Sequence, residues 1–165
     1  MNILILHPSF AGQFFYLAPY LARNPENRVV FLAKENALHV QIKGVELALY
    51  KAPREVHEDT HSYLRGAEEA VLQGQQVVRA LHSLQKKGFV PDVILGHTGW
   101  GSLLYVKDFY PEVPVVGYFE WYYHGRNSDS FWWPDEVPDI DALTRIRTKN
   151  AHHLLSLEAC DAGYT

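Results

Sequence analysis

The sequence predicts an α/β domain, a Rossmann-like and mostly parallel sheet with helices on both faces. Three observations predict it. Short apolar runs recur that do not alternate with polar residues, as in strands buried on both sides. Segments with a three-four apolar spacing lie between several of them. The stretch from Pro91 to Glu120 reads as one complete crossover. There, Val93-Ile94-Leu95 and Val115-Val116-Gly117-Tyr118-Phe119 each follow a proline, and a helix candidate of about three turns, beginning at Gly99-Trp100-Gly101, joins them.

The other elements follow in order. Asn2–Leu6 reads as a buried first strand ending in His7-Pro8. Gly12 opens a helix candidate over Gln13–Arg23, which Pro19 should kink or interrupt. Arg28–Ala33 and Val45–Tyr50 read as the second and third strands, and the polar stretch Ala52–Thr60 as a loop. The longest helix is expected over Ser62–Lys87, with Ala70, Val77, Leu81 and Gly74 on the face toward the sheet. Lys86-Lys87-Gly88 supplies its stop signal, positive charge and then glycine. After the crossover, residues 120–138 form an aromatic, proline-containing loop, and Asp139 or Asp141 caps a last helix reaching about Asp161. Gly163-Tyr164-Thr165 ends the chain where a further strand should begin. The expectation is therefore one domain, 1–165, cut from a longer protein.

Composition narrows the function. The chain has 165 residues, 47% hydrophobic and 21% charged, with a net charge of −4, which suits one core and gives nucleic acid no basic patch. The single Cys160 excludes an intrachain disulfide and fits a cytoplasmic setting. The start lacks the basic flank of a signal peptide, and no apolar run is long enough to span a bilayer.

In an open parallel sheet, ligands bind beyond the carboxyl ends of the strands. That rule alone places His97, after the fourth strand, and Glu120, after the fifth, at the ligand edge. His97 is suited to orient a hydroxyl or stabilise a developing charge. Glu120-Trp121-Tyr122-Tyr123 sets a carboxylate beside aromatic rings, an arrangement that holds a sugar. Phe131, Trp132 and Trp133 extend the aromatic patch, which equally suits packing on another domain or pairing of two chains. The loop ending in Gly12-Gln13 enters a helix and can approach phosphate, though neither Gly-x-Gly-x-x-Gly nor a Walker sequence is present. His57-Glu58-Asp59-Thr60-His61 matches the zincin pattern His-Glu-x-x-His, yet it sits in a polar linker rather than on a core helix, and no metal site is expected from it. His152-His153 are adjacent, which on a helix turns them about 100° apart and makes a poor metal pair.

Four segments in the same order resemble the N-terminal domain of a bacterial subset of glycosyltransferase family 4. They are Phe10-Ala11-Gly12-Gln13-Phe14 with Leu17-Ala18, Thr60-His61-Ser62-Tyr63-Leu64-Arg65, Pro91–Ile94 with His97-x-Gly99-Trp100-Gly101, and Gly117–Tyr123. The resemblance covers nearly the whole chain. It implies one half of a GT-B fold, two Rossmann-like domains facing across a cleft. The enzyme it implies is retaining and metal-independent, with no cofactor, and takes a nucleotide-sugar donor and a saccharide or lipid-linked acceptor. The C-terminal domain that binds the donor lies outside this chain, so the fragment alone should be inactive. By the resemblance Gly12 and Gln13 belong to the loop near the donor phosphates. Arg65, Trp100, Trp121, Tyr122 and Tyr123 are the candidate acceptor contacts, and His97 and Glu120 the candidate catalytic pair. The family commonly carries a His after the fifth strand, and Glu120 departs from that. Lipid-linked acceptors would bring the protein to the inner face of the membrane. Two other readings stay open: a non-catalytic α/β module binding a nucleotide or a protein, and another GT-B enzyme such as a nucleotide-sugar epimerase.

Overall fold

A computed structural model of the chain describes residues 1–35, 41–52, 54–126, 128–131 and 137–165. Six strands form one sheet in the order β3-β2-β1-β4-β5-β6. They are β1 Asn2–Leu6, β2 Arg28–Lys34, β3 Val45–Tyr50, β4 Val93–His97, β5 Val115–Tyr118 and β6 Ala162–Tyr164. Every neighbouring pair is parallel. The α/β, Rossmann-like class expected from the sequence is the class observed.

Register divides the core into two layers. Leu4, Leu6, Val30, Leu32, Ile94 and Val115 face one side, where α2 (Arg65–Lys86) delivers Val77 and Leu81. Ile3, Ile5, Val29, Phe31 and Ala33 face the other, against Phe10, Phe14 and Ala18 from the segment after β1. Because β1 and β2 are buried on both faces, their sequences show no alternation. Full burial of each such side chain contributes about 1.5–3 kcal/mol.

The helices are shorter and more broken than their periodicity suggests. Gln13–Arg23 resolves into a 3₁₀ turn, Gly12–Phe14, and a five-residue α1, Leu17–Leu21. Pro19 is the third residue of α1, where its missing N–H has no intrahelical partner to lose, so it shortens the helix rather than kinking it. The expected helix of the β4–β5 crossover is a 3₁₀ turn, Thr98–Trp100, followed by turns and a single α turn, α3, Val106–Phe109. The reason is Gly101, at φ +82°, which breaks the helical path. A Cβ there would lie 2.3 Å from the carbonyl oxygen of Ala70, and one on Gly74 would lie 2.9 Å from that of Gly101. Gly74 thus admits the turn after β4, not the sheet, against α2.

α2 begins at Arg65, three residues after the expected start, and ends as the Lys-Lys-Gly signal requires. Gly88 donates to Gln85 O at 2.9 Å and Phe89 to Leu84 O at 3.0 Å, a Schellman closure that tucks Phe89 into the core. The last helix is two, α4 Ile140–Lys149 and α5 Ala151–Glu158, divided at Asn150. Asp139, not Asp141, caps α4, accepting from the Ala142 N–H at 2.7 Å. The strand expected only beyond the chain's end is already inside it, since Ala162–Tyr164 pairs with β5 as β6. Asp161 anchors that edge, its carboxylate accepting from the Val115 N–H at 2.8 Å and from Lys107 Nζ at 2.7 Å. No helix among the described residues is long and apolar enough to cross a membrane.

Candidate functional site

Parallel pairing carries the ends of β1, β4 and β5 to one rim. There the structure gathers Gly12, Gln13, His97 and Glu120 with a residue the sequence reading passed over, His7. Gln13 Nε2 donates to both Glu120 oxygens, at 3.2 and 3.1 Å. His97 Nε2 lies 3.1 Å from Glu120 Oε2. The Gly99 N–H donates to His97 Nδ1 at 2.8 Å. That contact makes Nδ1 the acceptor, so Nε2 carries the proton and donates it to Glu120. His97 is 2% exposed and its ring stands 5.4 Å from those of His7 and Tyr118.

The electrostatics follow from burial and these bonds. Burial pushes the His97 imidazole below its ordinary pKa, against the pull of Glu120. His7 is lowered in the same way, chiefly by burial. Partial burial works to raise Glu120, but the bonds from Gln13 and His97 outweigh it and hold the carboxyl below its ordinary range. The site at neutral pH is therefore a carboxylate held between an amide and a neutral imidazole. Such a carboxylate can accept hydroxyl hydrogens on its open side.

His7 explains Gly12. A Cβ at residue 12 would lie 2.4 Å from the His7 ring, and φ at Gly12 is +49°. His7 Nδ1 lies 2.7 Å from Ser9 O, while Nε2 has no hydrogen-bond partner among the described residues.

Aromatic rings border this cluster. Trp100 follows the β4 turn, its ring 6.1 Å from that of His97, and is 47% exposed. Trp121 and Tyr122, after β5, are also half exposed. The Trp121 and Tyr123 rings lie nearly parallel, 12° apart in plane with centroids at 6.5 Å. Lys149 Nζ sits 3.6 Å over the Tyr123 ring. Trp132 and Trp133 lie outside the described residues.

Two buried polar side chains at the α4–α5 junction hold these loops. Asn150 accepts from the Tyr123 N–H at 2.8 Å and donates to Tyr123 O at 2.7 Å. His152 Nε2 reaches Gly99 O at 2.8 Å, fastening the turn that carries His97 and Trp100. Burial lowers His153 to about 4, and it abuts the Tyr123 ring. None of the three was singled out as functional from sequence, although a run of polar residues inside an apolar helical pattern is the signal that marks them.

Arg65 does not join the cluster through any contact among the described residues. Its guanidinium donates to Glu58 O at 2.7 Å and Thr60 O at 3.2 Å, tying the preceding turn to α2. The zincin-like pentapeptide is that turn. His57 and His61 each use Nδ1 to accept from a backbone N–H two residues on, and the pair shares no helical face. No group of three or more His, Cys, Asp or Glu among the described residues could hold a metal ion.

Comparison with solved structures returns the same architecture. The chain aligns over 98% of its length with Os79 from O. sativa in complex with U2F and trichothecene, at 12% identity and a TM-score of 0.55. It aligns equally far with UGT2 of Phytolacca americana complexed with UDP-2fluoro-glucose and pterostilbene, at 11% identity and a TM-score of 0.59. It spans about half of each, 46% and 47%. At such identity the likeness is one of fold, the GT-B fold. No curated protein matches the chain. A family model described as the glycosyl transferase family 4 group matches residues 25–165. The chain belongs to the glycosyl transferase family 4 group.

Proposed function

We propose that this chain is the N-terminal, acceptor-side half of a retaining, metal-independent glycosyltransferase that needs no cofactor. It moves a sugar from a nucleotide-sugar donor to a saccharide or lipid-linked acceptor. A second lobe beyond residue 165 binds the donor, and the half described here is inactive alone. The enzyme works in the cytoplasm and meets lipid-linked acceptors at the inner face of the membrane.

The observation that carries this reading is the Gln13–Glu120–His97 bond chain set beside exposed Trp100 and Trp121. Rings of this kind cover the apolar face of a sugar, and the carboxylate receives its hydroxyl hydrogens. In the transfer, the bond from the anomeric carbon to the diphosphate breaks. The bond to the acceptor oxygen forms on the same face, and the acceptor proton leaves with the diphosphate. This half contributes positioning: Glu120 fixes a sugar hydroxyl, His97 keeps Glu120 aimed and charged, and Gly12 and Gln13 present backbone N–H groups toward the phosphates. Gln13's side chain is committed to Glu120, so its part toward phosphate falls to the backbone.

The test is turnover of the full-length protein against a panel of nucleotide sugars, with Glu120→Gln and His97→Ala variants. Transfer by the parent and its loss in both variants supports the reading. Unchanged turnover in both removes the pair from the site.

A further inference from the structure

A second concavity opens on the same rim, on the far side of β1. It is a cleft of about 790 Å³ between the ends of β2 and β3 and the first turns of α2. None of the residues of the Gln13–Glu120–His97 site or its aromatic border lines it. Its floor is Leu72 and Gln73, both buried, with Lys34, Glu35, Lys51 and Glu69 around the mouth. Gln73 Oε1 accepts from the Tyr50 hydroxyl at 3.1 Å, whereas its amide nitrogen has only a contact at the limit, 3.5 Å, to Glu69. A buried amide donor therefore faces the cleft with capacity left.

We propose that this cleft is a subsite for an uncharged oligosaccharide, the non-reacting part of a polymeric acceptor. Three features select that chemistry. The lining carries three basic and three acidic side chains, so neither an anionic nor a cationic ligand is favoured. Lys51 and Glu35 already face each other at 3.8 Å, which offers hydroxyls a donor and an acceptor side by side. Ala52 and Val56, over buried Leu72, give an apolar patch for the C–H face of a ring. The volume exceeds what one hexose fills. Neighbouring strands lie about 4.8 Å apart, so three strand spacings put the cleft ~14 Å from the rim above β4 and β5, the reach of roughly three linked hexoses. Lys34 and Tyr50 end strands that run parallel to β4 and β5, so both concavities open in one direction. An acceptor lying across the rim would place its terminal hydroxyl at Glu120 and an earlier residue in the cleft.

The inference uses the transferase reading to call this ligand an acceptor, while the binding itself is independent of it. The experiment is calorimetric titration of the purified full-length protein with maltotetraose, cellotetraose and chitotetraose, and with tetragalacturonate as the anionic comparison. The parent should bind at least one neutral tetrasaccharide in preference to the anionic one. Glu69→Arg, an exposed change that intrudes on the mouth, should weaken it by about tenfold or more at unchanged melting temperature, and Gln73→Ala should weaken it as much at a melting temperature lowered by the loss of the Tyr50 hydroxyl's partner. Where Gln73→Ala does not fold, Glu69→Arg carries the comparison. No neutral binding, a preference for tetragalacturonate, or affinity indifferent to Glu69→Arg overturns the subsite. Cleft-dependent binding without sugar transfer would keep the subsite and reject the transferase reading, and transfer without such binding would do the reverse.

Discussion

The two halves of the sheet are built to different standards. On the β4–β5 side the loops beyond the strands are fastened from beneath: Asn150 grips both backbone groups of Tyr123 and His152 holds Gly99 O. His97 is sealed and its tautomer set by one N–H. On the β2–β3 side the rim consists of long exposed Lys and Glu side chains, with Gln73 the buried polar group at the cleft floor. One half spends its buried polar groups on geometry, as chemistry requires. The other keeps adaptable donors and acceptors, as recognition of a repeating ligand allows. Perturbing the first half should cost activity out of proportion to stability, and perturbing the exposed rim of the second should weaken acceptor binding while costing little stability or turnover at saturation.

The largest effect is expected at Glu120. Replacing it with Gln keeps size but removes the charge that Gln13 and His97 surround, and turns one accepting oxygen into an NH2 that faces their N–H donors. Turnover by the full-length protein should fall about 100-fold or more, while the denaturation midpoint stays nearly unchanged. Equal loss in both measurements would erase the contrast between the halves.

Next comes Asn150→Ala. Asn150 is 3% exposed and is the partner of two Tyr123 backbone groups. Leaving these unsatisfied should destabilise the fold by about 2 kcal/mol. Urea unfolding should show a lower midpoint with an unchanged slope. The same variant should lower turnover more than a core substitution of equal cost, because Trp121 and Tyr122 ride on the released loop.

How much of this was legible beforehand depended on whether a feature is periodic or contextual. β1, β2, β4 and β5 announce themselves as unbroken apolar runs, and parallel topology then brings Gly12, His97 and Glu120 together without further information. The helices misled. Apolar spacing continues through Gly101 and through Asn150, so the pattern shows one helix where backbone geometry makes a turn or a break. β6 was hidden because Ala162-Gly163-Tyr164 is too short and glycine-bearing to read as a strand, and it exists only through pairing with β5. His7 was passed over because a histidine ending a strand is unremarkable until Gly12 is found folded over its ring. Arg65 looked like a ligand contact, but the carbonyls that occupy it, Glu58 and Thr60, are visible only in the folded turn.

A change of pH separates the halves further. His7, His97, His152 and His153 all have folded pKa values below the ordinary 6.5, with burial the first cause in each, and His153 falls to about 4. The unfolded chain binds protons at these positions first. Stability is thus complete above about pH 6.5 and declines as pH falls toward about 4. Glu120 adds to the loss below its ordinary value of 4.5, as pH falls through its own depressed pKa. Denaturation midpoints should stay level from about pH 7.5 to about pH 6.5 and then fall toward about pH 5, and His153→Gln should flatten the fall. All five groups belong to the β4–β5 side or to β1 beside it.

The smallest effect is expected on the opposite half, at the Arg28–Glu46 pair between β2 and β3. The pair is bidentate, at 2.8 and 3.0 Å, but the side chains are 45% and 56% exposed. Glu46→Gln should change stability by no more than about 0.5 kcal/mol, and less in high salt. Arg28→Ala should cost somewhat more, because the guanidinium also lies 5.1 Å over the Phe89 ring, whose burial closes α2. A double-mutant cycle on the two residues reads the coupling directly. A coupling as large as the loss in Asn150→Ala would show that the β2–β3 half is fastened as firmly as the half that carries Glu120.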